Sequence, residues 1–155
     1  MKVGIIIVFN SIENSSFKEA LINKINSLKD VSICLVNNES NEKTDYYLNE
    51  ISERCKNTTV VNIKRSKSIN SAIRAGARFM FNQHKLKHMG YLYDLSTKEL
   101  VEIIEVFKTN KNEILEQVLI KQNEKAVKQT LFQRLFSITD TFSSLKINLM
   151  SYSIP

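Results

Sequence analysis

Glycine is scarce in this sequence: three residues, Gly4, Gly76 and Gly90, in a chain of 155. A P-loop needs G-x-x-x-x-G-K and a dinucleotide-binding turn needs G-x-G-x-x-G, because backbone has to approach phosphate where a Cβ would obstruct it. No two of these glycines lie near enough to supply either, which excludes the ATPase and NAD-dependent classes built on those loops. Proline occurs once, at Pro155, and no interdomain linker, internal repeat or low-complexity tract is visible. The two cysteines form no C-x-x-C pair, and Cys34 lies inside the apolar run from Ile33 to Val36, where a small buried thiol is the ordinary explanation. Disulfide scaffolds and thiolate zinc sites are set aside on that basis. No stretch approaches the roughly 20 apolar residues that a membrane-spanning helix requires, and the opening run Gly4 to Phe9 is too short and wrongly flanked for a signal peptide. A cytoplasmic chain is expected.

What is present is the composition of one soluble globular domain spanning 1–155, with 43% hydrophobic and 25% charged residues. Lys plus Arg number 22 against 16 Asp plus Glu, a net charge of +6 that suits phosphate groups, nucleic acid or an anionic membrane surface without choosing among them.

The order of elements is more informative. Lys2 to Phe9 is nearly continuous Val and Ile, the pattern of a strand buried on both faces in a parallel sheet. Ser16 with Glu19 reads as a capping box opening a helix whose apolar stripe is Phe17, Leu21, Ile25 and Leu28. Val31 to Val36 predicts a second strand, followed by a polar loop and a helix capped by Thr44 with Leu48, Ile51 and Cys55 inward. A third strand is expected over Thr58 to Ile63, then a helix reaching Gln83 with Ile69, Ala72, Ile73, Gly76 and Met80 on one face. Gly76 inside that helix costs about 1 kcal/mol of propensity, so close packing against the sheet should compensate. Met89 to Leu92 predicts a fourth strand, and Ser96 with Glu99 a capped helix with Leu100, Ile103, Ile104 and Phe107 inward. Ile114 to Ile120 reads as a fifth strand, Glu124 to Ser144 as a long amphipathic helix, and Ile147 to Tyr152 as a final strand. Alternating strands and helices imply an α/β three-layer sandwich with a mostly parallel sheet, in which ligands sit beyond the carboxyl ends of the strands.

Four loops follow those ends, and their residues resemble the amino-terminal, nucleotide-sugar half of family 2 glycosyltransferases, which have the GT-A fold. The family's first strand ends in P-x-Y-N-E; here the stretch is Ile7-Val8-Phe9-Asn10-Ser11. The family's D-D-G-S-x-D-x-T corresponds to Asn37-Asn38-Glu39-Ser40-Asn41-Glu42-Lys43-Thr44, with both leading aspartates replaced by asparagine. Ala72 and Gly76 match an A-x-x-x-G on the third helix, where Ser66 and Ser68 stand in place of the usual preceding asparagine and glycine. The D-x-D aligns with Leu92-Tyr93-Asp94. Beyond it, the basic segment Glu124 to Ser137 is similar to the part of polyprenyl-phosphate glycosyltransferases that faces the acceptor lipid, and the chain stops where that family continues into its acceptor half.

The resemblance implies a truncated GT-A fold that binds a nucleoside-diphosphate sugar for transfer to a glycan or lipid-phosphate acceptor. Its nucleotide-binding residues would be Phe9, Asn10, Asn37, Asn38, Lys64, Arg65 and Asp94. Asn38 would lie near the base, where its uncharged carbonyl accepts a weaker hydrogen bond than the family's carboxylate, and Asn10 near the ribose. Asp94 would lie near the diphosphate and any Mg²⁺ or Mn²⁺; with leucine as its partner, metal affinity should be weak. No catalytic residue is identified, because the general base would belong to the acceptor half.

Each of these features has a plainer reading. Asp94 could be a solvated carboxylate, and Lys64, Arg65 and Lys67 a solvated basic loop. His84 and His88, spaced i, i+4 beside two lysines, read as surface histidines rather than metal ligands. The apolar face of the expected 124–144 helix would pack on the sheet, form a homodimer, or contact an anionic membrane at the inner face. The functional alternative is a catalytically inactive interaction or dimerisation module of a polysaccharide-assembly system. Nucleic-acid binding rests on charge alone and is not expected, since the basic groups are not interleaved with aromatics.

Overall fold

The computed structural model describes residues 2–10, 16–39, 41–123 and 131–147. Five strands form one all-parallel sheet in the order β3-β2-β1-β4-β5: β1 Val3–Phe9, β2 Val31–Asn37, β3 Thr58–Asn62, β4 Met89–Tyr93 and β5 Leu135–Ser137. The two apolar runs occupy the two innermost positions this order offers them. Every residue of β1 and β2 is buried, whereas the edge strands β3 and β5 are mostly half-exposed. A strand covered on both faces and paired on both edges has to be apolar throughout, which is why its sequence shows no alternation.

One face is covered by α1 (Lys18–Asn26), α2 (Glu42–Arg54), α4 (Thr97–Thr109), α5 (Lys111–Asn123) and α6 (Ile138–Ser144). The other is covered by α3 (Ile69–His84) and a short 3-10 turn, Leu131–Arg134. The chain steps outward from β1 to β3 with α1 and α2 on one face. It then returns past β1 to β4 through α3, and a constant crossover hand sends the returning helix to the opposite face. The cysteines are split between these layers, both buried and free; burial pushes the Cys34 thiol up to about 12.

All three glycines lie inside elements, and none has a positive φ. A Cβ on Gly76 would stand 2.8 Å from Ile6 Cγ2 and 3.0 Å from Val36 Cγ2, so the helix approaches the sheet as closely as a missing side chain allows. The Ser96–Glu99 capping box is formed as expected, with Leu100, Ile103, Ile104 and Phe107 buried beneath it.

Several expectations need correction. Helix α1 has Phe17 at its cap position, a residue with no side-chain acceptor, and the Glu19 carboxylate pairs with Arg54 of α2 at 2.6 and 2.7 Å. The cap of α2 is Asn41, whose carbonyl accepts from Lys43 N at 2.8 Å; Thr44 lies inside the helix and its hydroxyl donates to Glu39. The run from Ile114 to Ile120 is helical, within α5: Ile114, Leu115 and Val118 face the core at helical spacing while Ile120 is exposed. Good helix formers between those apolar positions decide what a short apolar run cannot.

The expected 124–144 helix is not continuous. Residues 124–130 lie outside the described residues; beyond them come the 3-10 turn, β5 and α6. Leu135–Ser137 pair with Met89–Tyr91 and so satisfy an otherwise open edge of β4. Ser137 then caps α6 at Asp140 N, and Ile138 and Phe142 fill the core one turn apart. Of the expected final strand, Ile147 to Tyr152, only Ile147 is among the described residues, and it is not in a strand.

Candidate functional site

The carboxyl ends of the strands carry asparagine three times: Asn10 directly after β1, Asn37 at the end of β2 and Asn62 at the end of β3. Parallel register sets these ends side by side, with Phe9 opposite Asn37 and Asn37 opposite Asn62. Asn37 is buried; its amide donates to Asn62 Oδ1 at 3.2 Å, and its Oδ1 accepts from Glu39 N at 3.1 Å. Asn38, the next residue, is also buried and ties three loops together. Its Nδ2 donates to Asn10 Oδ1 at 2.8 Å and to Lys67 O at 2.9 Å, while its Oδ1 accepts from Lys67 N at 2.9 Å. Its backbone is held as well, N–H to Phe9 O at 2.9 Å and carbonyl from Ser66 Oγ at 2.6 Å.

Two donors facing two oxygen acceptors explain why this position is an amide. A carboxylate here would place oxygen against oxygen twice. Both donors and one acceptor position of Asn38 are therefore used within the protein, leaving one carbonyl lone pair for a ligand.

Asn10 passes the connection on: its Nδ2 donates to Asp94 Oδ1 at 3.3 Å, and both side chains are exposed. This contact spans the ends of β1 and β4, the neighbouring strands at which the chain reverses its direction across the sheet. The loops leaving β1 and β4 both turn to the face that α1 and α4 cover, while the β3–α3 loop turns to the other, and the crevice lies between them, beyond the strand ends. Asp94 has φ of 55°, a left-handed conformation that aspartate tolerates better than most residues but that still stores strain. Helices α2, α3 and α4 all begin on this edge, capped by Asn41, Ser68 and Ser96, and their amino-terminal dipoles favour an anion there.

Of the residues singled out in the sequence, Asn10, Asn38 and Asp94 form one hydrogen-bonded chain, with Asn37 behind it. Phe9 contributes its carbonyl; its side chain is buried in the core with α1 and α2. Lys64 and Arg65 are exposed on the β3–α3 loop, whose backbone closes on Asn38 through Lys67, and neither makes an ion pair among the described residues. Ser40 lies outside the described residues. Leu92 is 2% exposed in the core, so it offers Asp94 no help as a ligand. Among the described residues no three of His, Cys, Asp and Glu gather where a metal ion could sit.

His84 and His88 do not share a helix, since α3 ends at His84 and Lys85 turns left-handed with φ of 53°. His84 is exposed, but His88 is buried rather than superficial. Asn62 and the Lys67 backbone were not singled out in the sequence. The repeated asparagine at successive strand ends was the signal for the first; nothing local marks the second. Tyr93, 43% exposed beside Asp94 and stacked on Tyr91 at 6.2 Å, adds an aromatic surface next to the crevice. No protein-family model matches this chain, and no curated protein matches it significantly.

Proposed function

We propose that this chain is a glycosyltransferase-like domain, the nucleotide-sugar half of a GT-A fold, that binds a nucleoside-diphosphate sugar across the ends of β1, β2 and β4. The observation that carries the reading is the Asn38–Asn10–Asp94 chain beyond the carboxyl ends of the sheet, whose amide groups and carboxylate converge from three strand ends. The Asn38 carbonyl faces the base with its remaining lone pair, Asn10 lies toward the ribose, and the diphosphate meets the helix amino termini and the Lys64–Arg65 loop. In the transfer, an acceptor hydroxyl or lipid phosphate oxygen forms a bond to the anomeric carbon as the bond to the diphosphate oxygen breaks. Cations and oriented N–H groups stabilise the departing nucleoside diphosphate. The donor set does not fit a tightly held Mg²⁺ or Mn²⁺, because Asp94 has a buried leucine where a second carboxylate would stand. No step is routed through a metal. The reading implies a cytoplasmic location, where such donors are found; among the described residues no helix is long and apolar enough to cross a membrane.

The second reading is a catalytically inactive module that pairs with another copy of the chain or scaffolds a polysaccharide-assembly enzyme. The internal engagement of the Asn38 amide and the lone Asp94 carboxylate favour it. Calorimetric titration with UDP and GDP, with and without Mn²⁺, separates the two. The donor site requires saturable binding that Asp94→Ala weakens. No binding at millimolar nucleotide, from protein shown to be folded by circular dichroism, overturns it in favour of the inactive module.

A further inference from the structure

The charges of this chain are divided between its two faces. From Asn62 to Tyr93 the sequence contains seven lysines and arginines and no aspartate or glutamate. That segment is the β3–α3 loop, α3 itself and the return into β4, so it makes up most of the layer on one face of the sheet.

The opposite face carries cations and carboxylates together, and three of its cations are paired: Lys18 with Glu50 at 2.5 Å, Lys24 with Glu105 at 3.1 Å and Arg54 with Glu19 at 2.6 Å. Four cations of the α3 layer lie on aromatic rings. Arg74 and Arg78 both stack on Phe132, with Cζ 4.9 and 5.1 Å from its centroid; Lys85 and Arg134 stack on Phe81 at 5.1 and 5.0 Å. Among the described residues none of these four makes an ion pair.

Arg74 and Arg78 are exposed one turn apart on a 16-residue helix about 24 Å long, and Lys85 is exposed just past its carboxyl end. Lys64 and Arg65 extend the positive surface at the amino-terminal end of that helix, beside the crevice.

We infer that the α3 face is a docking surface for an anionic lipid bilayer. Ring stacking lays the guanidinium groups along the helix surface and fixes them without neutralising them, so they present charge as a sheet rather than as a projection. A plane of anionic headgroups is complementary to such a sheet. A nucleic-acid duplex asks instead for an element that enters a groove, and α3 has its apolar face committed to the core. Each cation near an anionic surface contributes about 1 kcal/mol, so several together hold the protein without an inserted apolar anchor. Exposed Tyr93 on the neighbouring strand adds an amphipathic ring of the kind that settles at headgroup level. The orientation would bring the crevice at the strand ends close to the bilayer, but the docking surface does not depend on nucleotide binding.

The test is co-sedimentation of the full chain with sucrose-loaded vesicles, either pure phosphatidylcholine or containing 30 mol% phosphatidylglycerol, at low and at 0.5 M salt. Anionic vesicles are expected to bind, with binding lost at high salt and absent with neutral vesicles. The double variant Arg74→Gln, Arg78→Gln is expected to bind about 30-fold more weakly, the loss for two surface charges. Lys98→Gln, Lys108→Gln makes the same change in net charge at exposed positions of α4 and should bind as the parent does. Equal losses in the two double variants, binding to neutral vesicles, or no binding to anionic ones would each overturn the inference, as would tighter binding to duplex DNA at matched salt. Circular dichroism of each variant establishes that losses are not unfolding.

Discussion

Replacing Asn38 with aspartate changes one atom group and tests the architecture of the crevice directly. The amide nitrogen lies 2.8 Å from Asn10 Oδ1 and 2.9 Å from Lys67 O, in a side chain 2% exposed. An ionised aspartate loses both hydrogen bonds, about 1 kcal/mol each, and sets a buried anion against two oxygen acceptors. Together these effects should cost about 3–5 kcal/mol at pH 8, a large part of the stability of an ordinary domain.

Protonating the carboxyl restores one donor, so the folded variant should hold its proton above the unfolded value of about 3.9. A raised folded pKa means that the folded state binds more protons than the unfolded chain as pH rises past that value. The variant therefore loses stability relative to the parent between pH 4 and pH 8. Urea denaturation followed by circular dichroism at pH 5 and pH 8 reads both quantities. A loss below about 1 kcal/mol at pH 8, or an equal loss at the two pH values, would refute the assignment of the amide as a double donor.

Other perturbations test the packing and the titrating groups. Gly76→Ala gains about 1 kcal/mol of helix propensity but drives a methyl to 2.8 Å from the β-branched, stiff Ile6; a net loss of about 1 kcal/mol in urea denaturation is expected, and a gain would show that α3 can shift. Burial holds the His88 imidazole below its usual 6.5, with Lys87 and Arg134 adding to the effect and a hydrogen bond with Gln122 opposing it. The unfolded chain then binds the proton more readily, so its contribution is full above pH 6.5 and is lost as pH falls through the lowered folded value, by at most about 1.4 kcal/mol per pH unit. His88→Gln should flatten most of the stability slope between pH 7.5 and 5.5, and an unchanged slope in that variant would sink the assignment.

The first four strands, α3 and the capping box of α4 were legible in the sequence because each rests on local information. A continuous Val and Ile run can only be a strand covered on both faces, and Ser96 with Glu99 closes its box within one turn. The parallel sheet followed from their alternation, and the crevice from the rule that loops beyond the strand ends meet ligands. What escaped is non-local. The segment 114–120 packs as a helix because α4 and α6 give it a core to face, and the intended long helix breaks where β4 needs a partner for its open edge.

Glu19, expected in a capping box with Ser16, is held instead by a bidentate Arg54 from a neighbouring helix, a partner 35 residues away that nothing local marks. The sequence by itself determined which residues are apolar, where most helices start, and that asparagine rather than aspartate ends three strands. Only the tertiary structure decided that the Asn38 amide is spent on Asn10 and Lys67, that His88 is buried, and that Arg74 and Arg78 lie together on the Phe132 ring. A side chain's partners are set by the register of distant strands and the face to which a crossover returns, and neither is encoded in the residues beside it.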